Sequence, residues 1–335
     1  MRRAYWADAL RVLASAMVVV IHVCGSGWYE LRPTGADWWT VNLLDSLCRS
    51  SVPIFFMLSG AMLLDREPEE KKLLIKTARL LLLWVLMGAF YALKDGEPAE
   101  ILTHPVYFLS LILKSHYHLW FLPTLAGIYL ILPVLRALVS YRDGKWVKWY
   151  LAVFFLFGIL RQTMAQVPVP GETYAALRRA LVPELCQYSG YFVLGWYLTR
   201  QRSRTAPWKL MLAYLGSAAA IALGTQYWSG LGAGNDERMY SYMGLFVFIE
   251  AVSLMSLMYA HCPGSGKKPV ELLSPLTLGI YLLHPAAMEI MRGFGLSVEL
   301  FPRPVSVPLI AFLSFCLSAL CTAMLRKLPV MKKLL

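Results

Sequence analysis

Apolar runs too long for an ordinary globular core recur from one end of this chain to the other. They lie at 8–26, 41–64, 72–92, 118–139, 146–163, 182–199, 207–226, 241–260, 269–290 and 304–325. Each is about 18–24 residues, enough to cross roughly 30 Å of hydrocarbon as a helix. Lipid offers the backbone no hydrogen bonds, so each run must satisfy its own as a helix. The pattern predicts an all-α polytopic membrane protein of about ten transmembrane helices. Composition agrees, because 16% of the 335 residues carry charge where soluble proteins average about 25%. That deficit excludes disorder and argues against an ordinary soluble enzyme. The net charge of +12 would sit on a polar domain in a nucleic-acid binder; no stretch is polar enough to be one, so no nucleic-acid partner is expected.

Basic residues set the orientation. With the N-terminus inside, 20 of the 32 lysines and arginines fall on inner segments, 9 on outer loops and three (Arg11, Arg49, Arg79) within spans. The positive-inside rule then predicts cytoplasmic N- and C-termini, and a multi-pass protein of the inner or plasma membrane. Residues 105–113 are apolar but too short to span, which suits the interface. The longest loops join spans three and four and spans five and six. No second folded domain fits, so residues 1–335 read as a single transmembrane domain, without internal repeat or the paired broken segments of transporters. The apolar run after Arg2 and Arg3 lacks a cleavage site of small residues. The six cysteines show no CxxC spacing; those inside apolar runs are expected to be small buried hydrophobes.

Ionisable groups within spans are costly, so each is a functional candidate. Arg11 and His22 in the first span are eleven residues apart, which at 100° per residue returns to nearly one helix face about 16 Å further along. A lone helical histidine is commonly structural, but one sharing a stripe with a buried arginine points to function. Asp45 and Arg49 in the second span share a face. They either neutralise each other, or Asp45 orients the His22 imidazole as carboxylates do for catalytic histidines. Ser59 and Gly60 of SVPIFFMLSG would let a neighbouring backbone or a ligand come close. Lys76 and Arg79, one turn apart in the third span, could reach lipid phosphates or, with Arg11, form a polyanion site. His116 and His118 lack metal-ligating partners at useful spacing, so no metal is expected. His118 and Trp120 fall where an interfacial belt belongs. Tyr281 and His284 lie toward the outer end of the ninth span. Glu250 is an intramembrane acid with no partner evident from the sequence.

Five of these landmarks, in order, resemble the membrane-bound acyltransferase 3 family. They are the Arg-x10-His of Arg11 and His22, the FFMLSG of residues 55–60, the basic pair Lys76 and Arg79, the HLWFL of 118–122 and the IYLLHP of 280–285. The resemblance spans essentially the whole chain. It implies a ten-helix membrane domain that carries acetyl or other short acyl groups from cytoplasmic acyl-CoA to hydroxyls of glycans or lipid-linked sugars. The absence of an SGNH or racemase domain within the sequence is similar to stand-alone members. Lys76 departs from the arginine common there and supplies charge without a bidentate fork.

Acyl transfer needs an activated hydroxyl, an oxyanion stabiliser and a held thioester. His22 is expected to be the general base or transient acyl acceptor, with Asp45 its catalytic partner. Arg11, Lys76 and Arg79 would hold the phosphates of acetyl-CoA. His118, Trp120, Tyr281 and His284 are the expected acceptor-binding residues, alongside membrane lipids as surroundings. The rival reading is a transporter or flippase for an anionic or glycolipid substrate, with Arg11, Arg49 and Arg79 lining its path.

Overall fold

A computed structural model describes residues 4–33, 35–66, 69–164, 166–167, 186–201, 205–232, 234–262 and 268–335, and among these every regular element is helical. Seven helical stretches are long and apolar enough to cross a membrane: Tyr5–Gly25, Ala36–Leu63, Glu70–Asp95, Pro207–Leu231, Arg238–His261, Lys268–Gly293 and Arg303–Leu325. An eighth is formed if Phe121–Leu130 and Leu132–Ser140, bent by 55° at their junction, count as one span. Pro133 stands in the first turn beyond that bend, where its missing N–H and its ring break the helical ladder.

The chain is thus a polytopic helical membrane protein, but the described residues do not show ten spans. The expected fifth, 146–163, is Val147–Val153 followed by a wide π turn over Phe154–Leu160 and a last turn, Arg161–Met164. The expected sixth is described from Gln187 to Arg200, 14 residues, or about 21 Å of rise against roughly 30 Å of hydrocarbon. Residues 182–185 of that run and most of the loop before it lie outside the described residues.

The elements that build the centre are α1 (Tyr5–Gly25), α2 (Ala36–Cys48), α3 (Ser51–Leu63), α4 (Glu70–Asp95), α5 (Phe121–Leu130), α6 (Leu132–Ser140), α7 (Gln187–Arg200), α8 (Pro207–Leu231), α9 (Leu245–His261), α10 (Thr277–Gly293) and α11 (Arg303–Leu325). Helix α1 is the hub and packs on α2, α3, α9, α10 and α11. The closest crossing is α3 on α7, where glycines replace side chains on both helices. A Cβ on Gly60 would fall 1.7 Å from the Phe192 carbonyl oxygen, and one on Gly195 2.0 Å from that of Met57. Small residues let helix backbones meet in this way where lipid supplies no hydrophobic drive to association.

Large apolar side chains also face outward, as on α4 (Leu82, Leu86, Phe90), α8 (Leu212, Leu223) and α11 (Phe312, Leu320), which suits lipid rather than water. Cys24 and Cys48 are buried as expected, whereas Cys186, Cys262 and Cys321 are only partly buried and Cys316 is exposed. For the last of these, the apolar run signalled a lipid-facing position and not a protein core. The helix at Pro105–Lys114 packs along α4.

The first turn of α1 and the last residues of the chain lie at one end of the bundle. There Trp6 meets Tyr259 edge-on, Arg79 reaches the Leu334 carbonyl, Arg200 pairs with Asp65 and Arg326 donates to the Pro275 carbonyl.

Candidate functional site

A cavity of about 360 Å³ lies among α1, α3, α4, α5 and α10. Toward the end of the bundle that holds the termini, it is lined by Arg11 of α1 and by Lys76 and Arg79 of α4, with Tyr129 of α5 beside them. Its middle is apolar, walled by Val18, Val52, Phe55, Leu80 and Leu125. Toward the far end stand His22, His118, Trp120, Tyr242 and Tyr281. Eleven residues of α1 separate Arg11 from His22, about 16 Å of helical rise. The cavity therefore connects a cationic mouth to a histidine-lined interior through an apolar throat.

The cations are positioned by their own helices and by the chain's last turns. Arg11 Nη1 donates to Asp8 Oδ1 at 2.9 Å and to Ser274 Oγ at 3.2 Å, and Ser274 Oγ donates to Asp8 Oδ1 at 2.6 Å. Arg79 Nε donates to the Leu334 carbonyl at 2.9 Å. A smaller cavity of about 170 Å³ shares Lys76 and Tyr129 with the first and adds Arg66, Lys72 and Glu69. Arg66 and Lys72 read from sequence only as orienting charges; here they widen the basic mouth.

At the far end the imidazoles cluster. The His22 and His284 rings stack with centroids 4.9 Å apart, and His118 stands edge-on to both, at 6.3 Å from His22 and 5.4 Å from His284. His116 Nδ1 and His118 Nδ1 are 2.8 Å apart and share a hydrogen bond. The order of IYLLHP explains the set of His284. Pro285 lies inside α10 and has no N–H to give the carbonyl four residues back, which is that of Tyr281. That carbonyl accepts a hydrogen bond from His284 Nδ1 at 2.8 Å instead. A carbonyl can only accept, so Nδ1 carries the proton and the buried Nε2, without a hydrogen bond among the described residues, keeps its lone pair. The Tyr281 hydroxyl donates to the His118 carbonyl, and Trp120 stacks on Tyr242 at 6.0 Å. His22 faces the cavity.

The cavity thus brings together Arg11, His22, Lys76, Arg79, His118, Trp120 and Tyr281, with His284 against His22. It does not bring Asp45. That carboxylate forms an ion pair with Arg49, whose guanidinium also lies 3.9 Å over the Tyr240 ring. The contact of Asp45 with His22 considered from the sequence does not occur among the described residues. Four residues along one helix turn bring Asp45 and Arg49 together first. Glu250 is fully buried, beside Ser50 and Tyr214. Ser59 lines the cavity while Gly60 meets the α7 backbone, so the dipeptide serves both roles. Among the described residues no three His, Cys, Asp or Glu side chains are grouped so as to hold a metal ion. Tyr129 and Tyr242 carried no local sequence signal, because their relevance depends on which helices meet.

Comparison with known proteins matches a family described as an acyltransferase domain, acyltransferase 3, over residues 4–323. A serine/alanine racemase of Enterococcus gallinarum is 26% identical over 298 residues, covering 83% of this chain and 40% of that protein. The chain therefore spans less than half the length of that relative. No solved structure matches significantly.

Proposed function

The chain belongs to the acyltransferase 3 family, and on that premise we propose that it transfers an acetyl or other short acyl group from acyl-CoA to a hydroxyl of a glycan or lipid-linked sugar at the cell membrane. One observation carries the reading: a single cavity is cationic at one end, apolar in the middle and lined by histidine at the other. Arg11, Lys76 and Arg79 suit the phosphates of coenzyme A, since guanidinium and ammonium groups bind phosphate by charge-assisted hydrogen bonds. The apolar throat suits the pantetheine arm. A thioester carried on that arm would lie beside His22, with the mouth taken as the cytoplasmic side.

In the direct route His22 takes the proton of the acceptor hydroxyl as that oxygen bonds to the thioester carbonyl carbon. The carbon–sulfur bond then breaks, the electron pair leaves on sulfur, and His22 returns its proton to the thiolate. In a two-step route the acyl group rests first on the imidazole. His118 and Tyr281 border the same space from the turn before α5 and from α10, and Trp120 offers an aromatic face for a sugar ring.

The test is transfer of radiolabel from acetyl-CoA to endogenous glycolipid by the purified protein in detergent, where no gradient exists to drive transport. His22→Ala is expected to abolish labelling while the protein still purifies as folded. Arg79→Ala is expected to raise the KM for acetyl-CoA about 10–100-fold, the size of one lost charge-assisted hydrogen bond of about 1.5–3 kcal/mol, with Arg79→Lys intermediate. Wild-type transfer by a folded His22→Ala protein overturns the assignment. Label held covalently by the wild type without acceptor, and absent from His22→Ala, selects the two-step route.

A further inference from the structure

The smaller cavity at the basic mouth is continuous with the larger one. Lys76 of α4 and Tyr129 of α5 line both, Arg11 and Arg79 only the larger, and Arg66, Glu69 and Lys72 only the smaller. One face of α4 carries the wall from one space into the other. Positions 80, 79 and 76 line the larger cavity, and 76, 73, 72 and 69 the smaller. These recur at the three- and four-residue spacing of a single helix face, and span about 16 Å of rise. On the facing side the wall crosses the bend from Tyr129 of α5 to Leu132 of α6.

We infer that the smaller cavity is a subsite for the 3′-phosphate of coenzyme A, and that Arg66 and Lys72 select donors that carry this group. The inference rests on the acyl-transfer reading and adds which part of the donor is recognised and by which residues.

The order of the charges matches the order of groups in the donor. From its thioester, an acyl-CoA runs through the pantetheine arm to a diphosphate, then to a ribose that bears the 3′-phosphate. With the thioester near His22 and the arm in the apolar throat, Arg11, Arg79 and Lys76 are the first cations reached, and they suit the diphosphate. Lys72 stands one turn further along α4 than Lys76, about 6 Å beyond it. Arg66 enters from beyond the end of α3. These two are placed for the next phosphate. The volume of about 170 Å³ falls below the roughly 300–1,000 Å³ of pockets that take a whole ligand, as a subsite should. Leu63, Leu73 and Leu132 give it apolar walls for the nucleoside that carries the phosphate.

Charge selects an anion. Five cations line the two cavities (Arg11, Arg66, Lys72, Lys76 and Arg79), against one carboxylate among the described lining residues, Glu69. Lys72 Nζ donates to Glu69 Oε1 at 2.7 Å, but the two side chains are 66% and 70% exposed. A pair so exposed contributes little, so a phosphate can take over the ammonium at small cost. Lys76 has the like charges of Arg66 and Arg79 as neighbours. Gathering like charges costs free energy that a bound phosphate offsets. The Arg66 guanidinium can give a phosphate two parallel N–H bonds. A lipid phosphate would offer the same chemistry. The continuity with the throat through Lys76 and Tyr129 favours a phosphate tied to the molecule that fills the throat.

The test uses radiolabelled acetyl-CoA and acetyl-dephospho-CoA, which differ only in the 3′-phosphate, with purified full-length protein in a neutral detergent. The wild type is expected to show a KM for acetyl-CoA about tenfold or more below that for acetyl-dephospho-CoA, the scale of one charge-assisted hydrogen bond. Arg66→Ala and Lys72→Ala should each shrink this preference, the double variant should bring the two KM values within twofold of each other, and Arg66→Lys should keep part of it. Equal KM values in the wild type overturn the subsite. So does a double variant that keeps the wild-type preference, or one in which both KM values rise together, since that marks a general attraction for anions. The preference is expected to persist when phosphatidylglycerol is added to the micelles; its disappearance would assign the cavity to lipid phosphate and overturn the proposal. A wild-type protein that transfers label from neither donor overturns the acyl-transfer reading itself, which no outcome at Arg66 or Lys72 does.

Discussion

His22 lines the cavity and stacks on a histidine whose tautomer is fixed by a backbone carbonyl. An imidazole set in this way exchanges protons with a substrate without first surrendering a strong protein hydrogen bond, which suits a base. Arg49 is the opposite kind of buried charge. Its pairing with Asp45 and its place over the Tyr240 ring consume it structurally. Removing one member of such a pair strands the other in low dielectric, at a cost of about 3–5 kcal/mol. Asp45→Asn and Arg49→Gln are each expected to lower thermal stability strongly, with the double variant clearly more stable than the sum of the two. Thermal unfolding read by a thiol-reactive fluorophore in a background where Cys186, Cys262, Cys316 and Cys321 are replaced by serine, so that Cys24 and Cys48 report the opening of the core, gives the comparison. Strict additivity of the single variants would show that the pair does not act as one unit. If Asp45 served His22 instead, Asp45→Asn would cost activity out of proportion to stability, and the same proteins test that.

Elements decide which of these charges meet. The first span was the most legible, because the eleven-residue spacing of Arg11 and His22 is a property of one helix and survives any packing of the rest. The bend between α5 and α6 and the break of 147–164 were not, since apolarity gives the length of a run and not its straightness. Nor does the sequence show that α7 slots against α3 so closely that Gly60 and Gly195 admit no Cβ. Within α10 a single proline has a chemical consequence. Because Pro285 leaves the Tyr281 carbonyl free to accept from His284 Nδ1, Pro285→Ala is expected to return that carbonyl to the helix ladder and release the imidazole. Helix propensity favours alanine by about 3 kcal/mol, so the variant should be at least as heat-stable as wild type yet lose activity tenfold or more. Equal losses of stability and activity would show that Pro285 matters only for packing.

At the scale of the whole molecule, the sequence spread cations and histidines over several spans without showing that one space joins them. Only the packing of α1, α3, α4, α5 and α10 creates the continuous cavity. In the proposed function the donor enters at the cationic mouth and the acceptor at the histidine end, so the two should come from opposite faces of the membrane. The end of the cationic mouth carries Arg66, Lys71, Lys72, Lys76, Arg136, Arg200, Arg326, Lys327, Lys332 and Lys333, and the proposed function takes that end as the cytoplasmic one, as the positive-inside rule expects. Sealed vesicles make this sidedness measurable. Labelled acetyl-CoA added outside inverted vesicles, which expose the cytoplasmic face, is expected to acylate the acceptor. The same donor outside right-side-out vesicles should label nothing until detergent is added, because coenzyme A bears phosphates that do not cross hydrocarbon unaided. Arg79→Ala should depress labelling in the inverted vesicles alone. Equal labelling in both sealed preparations would mean that the donor reaches its site from either face, which overturns the proposed sidedness.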